Sequence, residues 1–528
     1  MAAEREAMRI MIAGKAAATC NKSLKRSSTL LAEAFIMNYF LLLAGGILFS
    51  WQGLIAQNIS GKVTDSLSGE PVPFATVQFD KGRGVITNEE GYFQLRPDDS
   101  ASGVIVISCL GFETKAVALN ELSPEGNVIS LKEAVVRLDE VFLSNKIPHA
   151  DTIIARVREH IAVNYRPRLK RHHIFARETE YVDFEEMDFE VSRASGFSGE
   201  ELHQTNLELN ALSKAIINNR TLHFRDFLGD IYLDEEKSAK LEVEKATSLL
   251  DSKKDFSLEN IQRKAEGIVL QYLDTTQSYK LKTGIIKLED SLKLDEEFRE
   301  PEKAKEYEVS GLRSETAQLL GTSRFHEDSF LQGLLKPRAY DFSFRKATFL
   351  NDELIYILDF QPRKGSSRYS GKIFVNGNDF AIVKLNYRFA EGKRGDKFNF
   401  KLLLGIKYVE DEENGTLLYK KGPDGTYDPS YIQRTQGSYF YVNRPIKFIE
   451  NSREKDKVNF NFIIAGKNRS RQELLVTSSS GITASDFQRL EEREKVPVIQ
   501  LGKYEESIWQ DEETLQPLEE MRQFNALQ

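Results

Sequence analysis

From Tyr340 onward the apolar residues of this chain recur at every second position, and that spacing restricts the region to β-structure. Leu354, Tyr356, Leu358 and Phe360 fall on one side of a strand. Phe398, Phe400, Leu402, Leu404, Ile406 and Tyr408 share one side of what reads as a single long strand, with Asn399, Lys401 and Lys407 on the other. Ile373–Val375 and Phe380–Leu385 flank Asn376-Gly377-Asn378-Asp379, a strong hairpin signal. Ser438–Val442 and Val458–Ile464 continue the alternation. One apolar face and one wet face describe an antiparallel meander, so residues 336–478 are assigned to an antiparallel β-sheet module.

Upstream the period lengthens. Ala150–Tyr165 reads as a helix: Asp151 can cap it, Ile153, Val157 and Ile161 recur at four-residue spacing, and Pro167 stops it. Leu202–Ile217, Ser238–Leu250 and Ser257–Leu273 also carry helical periodicity. Phe175–Ser192, rich in alternating acids and aromatics, reads as a strand pair, and Asp251–Phe256 and Asp290–Lys305 as charged connectors. Residues 150–335 are therefore expected to form a mixed helical module after a linker at 133–149. Residues 479–528 form a charged C-terminal tail, with Trp509 tucking back onto the body.

The first 57 residues read as export machinery. No charge occurs between Ala34 and Gly61, the centre Phe40–Phe49 is strongly apolar, and Lys22, Lys25 and Arg26 lie just upstream. Ala56-Gln57 offers a small residue at a cleavage point, the layout of a secretory signal. The charge-free run is also long enough to span a bilayer, so an uncleaved anchor is the alternative, with membrane contact through this segment. Either way the rest of the chain is expected outside the cytoplasm. Cys20 precedes the apolar core and cannot be a lipobox cysteine.

Residues 58–132 then read as short strands at close spacing, a small β-sandwich. Four blocks occur in order: Ile59-Ser60-Gly61-Lys62-Val63-Thr64-Asp65, Gly69–Val77, Thr87-Asn88-Glu89-Glu90-Gly91-Tyr92-Phe93, and Ile107-Ser108-Cys109-Leu110-Gly111-Phe112-Glu113. They resemble the carboxypeptidase-D regulatory-like domain. The resemblance implies a transthyretin-like seven-strand fold, abundant in exported proteins of Bacteroidetes, and a module without catalytic residues of its own. The fold class expected is thus multidomain and β-rich: a transthyretin-like β-sandwich followed by an α+β module with an antiparallel sheet. The order of the later elements is similar to Bacteroidetes envelope proteins that carry the same N-terminal module.

Composition narrows the chemistry. The net charge of −8 gives no general grip on a phosphate backbone, which disfavours nucleic acid. Two cysteines far apart, Cys20 and Cys109, exclude a disulfide framework and a cysteine-rich metal site. None of the seven histidines has a glutamate three residues on, so the zinc pair of a metallocarboxypeptidase is missing. Arg171-His172-His173 places two histidines on opposite faces of a strand, a poor pair of ligands. Asp183, Glu185, Glu186, Asp188 and Glu190 read as a solvated edge. A calcium loop starting at Glu410 fails because Lys421 stands where a bidentate glutamate is required. No catalytic residue, cofactor or metal is assigned. The feature with functional promise is the apolar face of Tyr356, Phe360, Tyr387, Phe398, Phe400, Leu402, Leu404, Ile406 and Tyr408, which is either covered by the middle helices or open to an acyl chain or hydrophobic peptide. The expectation is a non-enzymatic binding or scaffolding protein of the periplasm or the periplasmic face of the outer membrane. Its expected partner is another envelope protein, or lipid or a hydrophobic peptide held on that face. The alternatives are a periplasmic lipid or lipoprotein carrier and a regulated periplasmic hydrolase.

Overall fold

The structure is a computed structural model, described here for residues 58–79, 84–96, 103–134, 149–166, 168–234, 238–250, 277–283, 286–293, 306–453, 455–510 and 512–525, with positions 261, 264, 267 and 268. The signal segment at 1–57 and positions 135–148 of the linker lie outside the described residues.

The chain first builds the sandwich from β1 (Ile59–Asp65), β2 (Thr76–Gln78), β3 (Gly84–Ile86), β4 (Tyr92–Leu95), β5 (Val104–Ser108), β6 (Lys115–Ala118) and β7 (Asn127–Leu131). One sheet has the order β4-β1-β7 and the other β3-β2-β5-β6. Alternation buries Val63, Val77, Phe93, Ile105, Ile107 and Leu131 between them, with Cys109 in the same core. The Asn88–Gly91 turn works as its residue types require. The Asn88 carboxamide oxygen accepts from the Glu90 and Tyr92 amides, and Gly91 sits at φ +79°, where a Cβ would lie 2.5 Å from the Val63 carbonyl oxygen.

The remainder follows as α1 (Ala150–Asn164), β8 (Lys170–Ala194), α2 (Gly199–Ile217), β9 (Thr221–Leu233), β10 (Ala239–Leu250), β11 (Ser278–Thr283), β12 (Ile286–Lys293) and β13 (Glu306–Glu308). Then come α3 (Val309–Gly321), α4 (Phe330–Leu334), β14 (Tyr340–Leu350), β15 (Glu353–Pro362), β16 (Tyr369–Asn376), β17 (Ile382–Phe389), β18 (Lys397–Phe400) and α5 (Lys401–Leu404). The chain closes with β19 (Ile406–Lys421), β20 (Tyr427–Glu450), β21 (Lys457–Gly481), α6 (Ala484–Arg489), β22 (Lys495–Pro497) and β23 (Ile499–Leu501). A single sheet runs β14-β15-β16-β17-β19-β20-β21-β8-β9-β10-β23, antiparallel except for the last pair. Strands β8, β20 and β21 have 25, 24 and 25 residues, a reach of up to about 80 Å.

Strand β20 pairs with β21 without a register shift, so its parity reports the two faces of the sheet. Ile432, Phe440 and Val442 lie on one face. Its lower half is covered by α1, α3 and α4 over Ile174, Leu358, Phe360 and Leu474, and its upper half by α2 over Phe184, Phe460 and Ile464. Tyr431 lies on the opposite face, where Phe74 and Ile86 of the sandwich and Trp509 and Leu515 of the C-terminal segment pack on Phe175, Leu228 and Leu475. Trp509 meets Phe175 edge to face at 5.3 Å. Residues 58–528 form one compact unit.

Several expectations are corrected. Residues 239–250 are strand β10, not helix, because they pair along their whole length with β9. The strand pair expected at 175–192 is the single strand β8. A separate mixed helical module at 150–335 is overturned by β8, β9 and β10, which share the sheet of 336–478. The charged segment 479–528 packs onto the body at more than Trp509: β22 pairs with β13, β23 with β10, and Met521 is buried as well. Of the helix expected at 257–273, the four described positions are helical.

A row of buried charges crosses the sheet on the sandwich side. Arg177 donates from Nε and Nη2 to the two oxygens of Asp226 at 2.9 and 2.7 Å and from Nη1 to the Leu515 carbonyl at 3.2 Å. Glu473, opposite Arg177, accepts from Arg471 at 2.9 Å and from the Tyr431 hydroxyl at 2.8 Å. Arg471 also reaches Glu89 of the sandwich at 2.6 Å. Burial works against the charges of Arg177, Arg471 and Glu473, and their partners outweigh it, holding Glu473 below the usual carboxylate range. Asp226→Ala is expected to cost about 3–5 kcal/mol in urea denaturation, and Arg177→Met with Asp226→Leu to restore most of it. A single-site loss under about 1 kcal/mol would mean the pair is solvated.

Candidate interaction site

The sequence-predicted apolar face divides into two places. Phe360, Gly371, Tyr387, Gly415 and Arg434 follow one another across strands in register, so Phe360 and Tyr387 share the face of Phe440. Both are buried in the lower core. Phe330 of α4 lies over Tyr387 at 4.7 Å, and Tyr340 lies edge-on to Phe360 at 5.6 Å. Tyr356 is half-buried beside Phe344. A polar belt separates them from the upper face: Tyr369 donates to Glu413 at 2.7 Å and Arg434 pairs with it at 2.9 Å.

Phe398–Tyr408 is not one strand, as the alternation predicted. The chain leaves β18, turns through α5 and returns as β19, because Gly405 takes φ +66° and lies so close to Asn443 that a Cβ would be 2.0 Å from its carbonyl oxygen. Phe398 and Tyr408 stack at 5.5 Å and pair onward with Phe440, and Phe400 pairs through Ile406 with Val442. The apolar surface of the upper core thus runs out along the hairpin and emerges uncovered. Phe398 is 44 % exposed, Phe400 50 % and Leu403 81 %, and Leu402 is wholly in water. On the reverse side Lys401 lies 3.8 Å over the Tyr441 ring and Lys407 4.9 Å over Tyr439, with Lys397 exposed beside them. The hairpin thus carries an exposed apolar front on a basic, aromatic back.

The other sequence candidates are placed as follows. The acids at 183–190 point outward on the part of β8 beyond its β9 partner, with Asp183 paired to Arg220 and Glu185 to Lys467. Glu410–Gly415 lies within β19 and forms no loop. His172 is buried, its Nδ1 2.7 Å from the Ser479 hydroxyl, and burial pushes it down to about 4. His173 faces the other way, 3.0 Å from Asp230, with Glu244 at 3.9 Å. The three could converge on a cation, but Arg171 already holds the second Asp230 oxygen at 2.5 Å, which makes the group a charge-balanced network.

One constellation escaped the sequence reading. Ser248 of β10 lies 3.0 Å from His223 Nε2, and His223 Nδ1 lies 3.4 Å from Glu180. This is the order of a nucleophile, base and orienting acid. Only the register of three strands brings these residues together, and no local motif marks them. Ser248 is 4 % exposed and sits mid-strand, where its own backbone pairs within the sheet.

Residues 59–143 match the CarboxypepD_reg-like domain family, which covers the whole sandwich. No curated protein and no solved structure matches the chain. No described helix is long and apolar enough to cross a membrane.

Two outcomes are expected. A fluorophosphonate probe should leave Ser248 unmodified, and labelling there, read by peptide mass spectrometry, would make the site a hydrolase centre. The hydrogen bond to Asp230 holds His173 above the ordinary histidine value, so its contribution is complete below about pH 6.5 and fades as pH rises through the folded value. The urea stability gap between the parent and His173→Gln should therefore narrow between about pH 6 and about pH 9. A gap independent of pH would show an unpaired imidazole.

Proposed function

We propose that this chain, which carries a CarboxypepD_reg-like domain ahead of a helix-covered sheet, is an exported binding or scaffolding protein of the cell envelope. It works at the periplasmic side of the outer membrane, where the β18–α5–β19 hairpin docks on the lipid surface. The observation that carries this reading is the uncovered front of Phe398, Phe400, Leu402, Leu403 and Leu404. Each such side chain fully removed from water contributes about 1.5–3 kcal/mol. Lys397, Lys401 and Lys407 stand behind it and would each add about 1 kcal/mol against an anionic leaflet. Tyr439, a half-buried amphipathic ring under Lys407, suits the headgroup level. Export rests on the basic and apolar N-terminal segment, whose order is that of a secretory signal. Among the described residues strand β6 is an edge of the sandwich, with Val104 and Val106 exposed beside it on β5, a surface suited to a protein partner from the envelope.

Sedimentation with vesicles tests the reading on a chain beginning at Asn58, which removes the apolar segment from the comparison. Binding to phosphatidylglycerol-containing vesicles is expected, weaker on purely zwitterionic ones. Leu402→Asp with Leu403→Asp should reduce it by at least about tenfold at an unchanged melting temperature. Equal sedimentation of both proteins would remove the hairpin from the membrane. A concentration-dependent dimer lost in the same variant would assign it to self-association instead.

A further inference from the structure

A cleft of about 140 Å³ opens at the end of the sheet remote from the hairpin, where the C-terminal ends of α1 and α3 meet the start of β8 and the β19–β20 turn. Four cations line it. Two are spoken for: Arg168 pairs with Asp424 and Lys170 with Asp428. Among the described residues, Arg166 and Arg324 have no such partner. Arg324 is half-buried, and among the described residues its guanidinium has neither an ion-pair partner nor a hydrogen-bond acceptor. Asp234, also in the lining, is the acid that acts on it. Burial works against the charge, drawing it below the usual guanidinium value. A desolvated cation without a partner is costly, and a protein retains one where something else supplies the anion.

The helix end next to it does not explain the residue. The amides of Thr322, Ser323 and Arg324 and the hydroxyls of Thr322 and Ser323 already engage the last carbonyls of α3, and the guanidinium touches none of them. Beside it the wall is aromatic. Phe325 and Tyr165 pack at 4.3 Å, and the Tyr165 and Tyr427 hydroxyls are turned away to the Ile382 carbonyl and to Asp379. Their ring surfaces, rather than their polar ends, border the space.

We propose that this cleft binds a small ligand with one carboxylate or phosphate on a compact planar or apolar body, with Arg324 taking the oxyanion. Arg166 reinforces the contact from the rim, and the Tyr165–Phe325 pair frames the body. The planar guanidinium fork matches either oxyanion in a two-point contact. The site is independent of the hairpin and stands or falls without it.

Calorimetric titration and thermal shift at low salt test this, with benzoate as the carboxylate probe and inorganic phosphate as the other. Binding of benzoate places a carboxylate there and binding of phosphate a phosphoryl group, and either supports the site. Arg324→Met should weaken the Kd by about tenfold to a hundredfold, and Arg166→Met by less. Without a probe, Arg324→Met should melt no lower than the parent, because a half-buried charge without an ion-pair partner has been removed. Failure of both probes to bind, or an Arg324→Met variant that binds as the parent does, overturns the proposal. So does an Arg324→Met variant that melts lower without probe yet keeps its full response, since that is the behaviour of a helix-end cation.

Discussion

The paired charges on strands β8, β9 and β21 are the condition on which the rest of the molecule depends. A sheet buried on both faces has no water to satisfy Arg177, Asp226, Arg471 and Glu473, so each must find its partners within the fold. Arg177 and Asp226 satisfy one another only if β8 and β9 run in the observed register. Two further donors reach outside the sheet: Arg177 Nη1 to the Leu515 carbonyl and Arg471 Nη1 to Glu89. Asn88 completes the fastening from the sandwich side, donating to the carbonyls of Gln516 and Pro517 at 3.3 and 3.0 Å. The sandwich, the sheet and the C-terminal segment therefore solve one polar problem together, which is why residues 58–528 behave as a single compact unit.

The same coupling explains what the sequence did and did not disclose. The sandwich was legible because its signals are local: a glycine at a positive φ, an asparagine that closes its own turn, and four blocks in order. Strand β10 was not. Leu241 and Val243 alternate with Lys240 and Glu242 as a strand should, but a bulge at Val243/Lys245 inserts one residue. The next apolar positions, Ala246 and Leu249, then fall at spacings that imitate a helix turn. The error at Phe398–Tyr408 has the opposite origin. Its alternation is genuine on both sides of α5, and a single glycine at Gly405 reverses the chain between them.

The candidate sites were less legible than the fold for a physical reason. Ser248, His223 and Glu180 are close only because three strands are in register, and Arg324 is conspicuous only because of what does not reach it. Neither property is written in a window of sequence. The hairpin is the exception: five large apolar side chains within seven residues, flanked by lysines, are visible in the chain. What the alternation could not say is that its inner continuation would be covered by α2 while the outer end stayed bare.

That division of one face bears on how the molecule meets its surroundings. The lower and upper cores lie on the same side of β20, with a polar belt centred on Glu413 and Arg434 between them, so the covering helices close the face in two separate pieces. The belt keeps the two cores from merging into one hydrophobic groove, since a desolvated ion pair cannot be replaced by a passing apolar ligand without leaving its charges unpaired. The bare apolar side chains Phe398, Phe400, Leu402 and Leu403 accordingly lie at the outer end of the face, on the hairpin. The sandwich packs on the opposite face of the same sheet, through Phe74 and Ile86. A surface engaged by the hairpin front accordingly meets the helical side of the sheet, and the β6 edge belongs to a module fixed on the other side. Because the buried charges fasten that module to β21 and to the C-terminal segment, the two surfaces keep a constant relation, which is the property a scaffold needs and a flexible tether lacks.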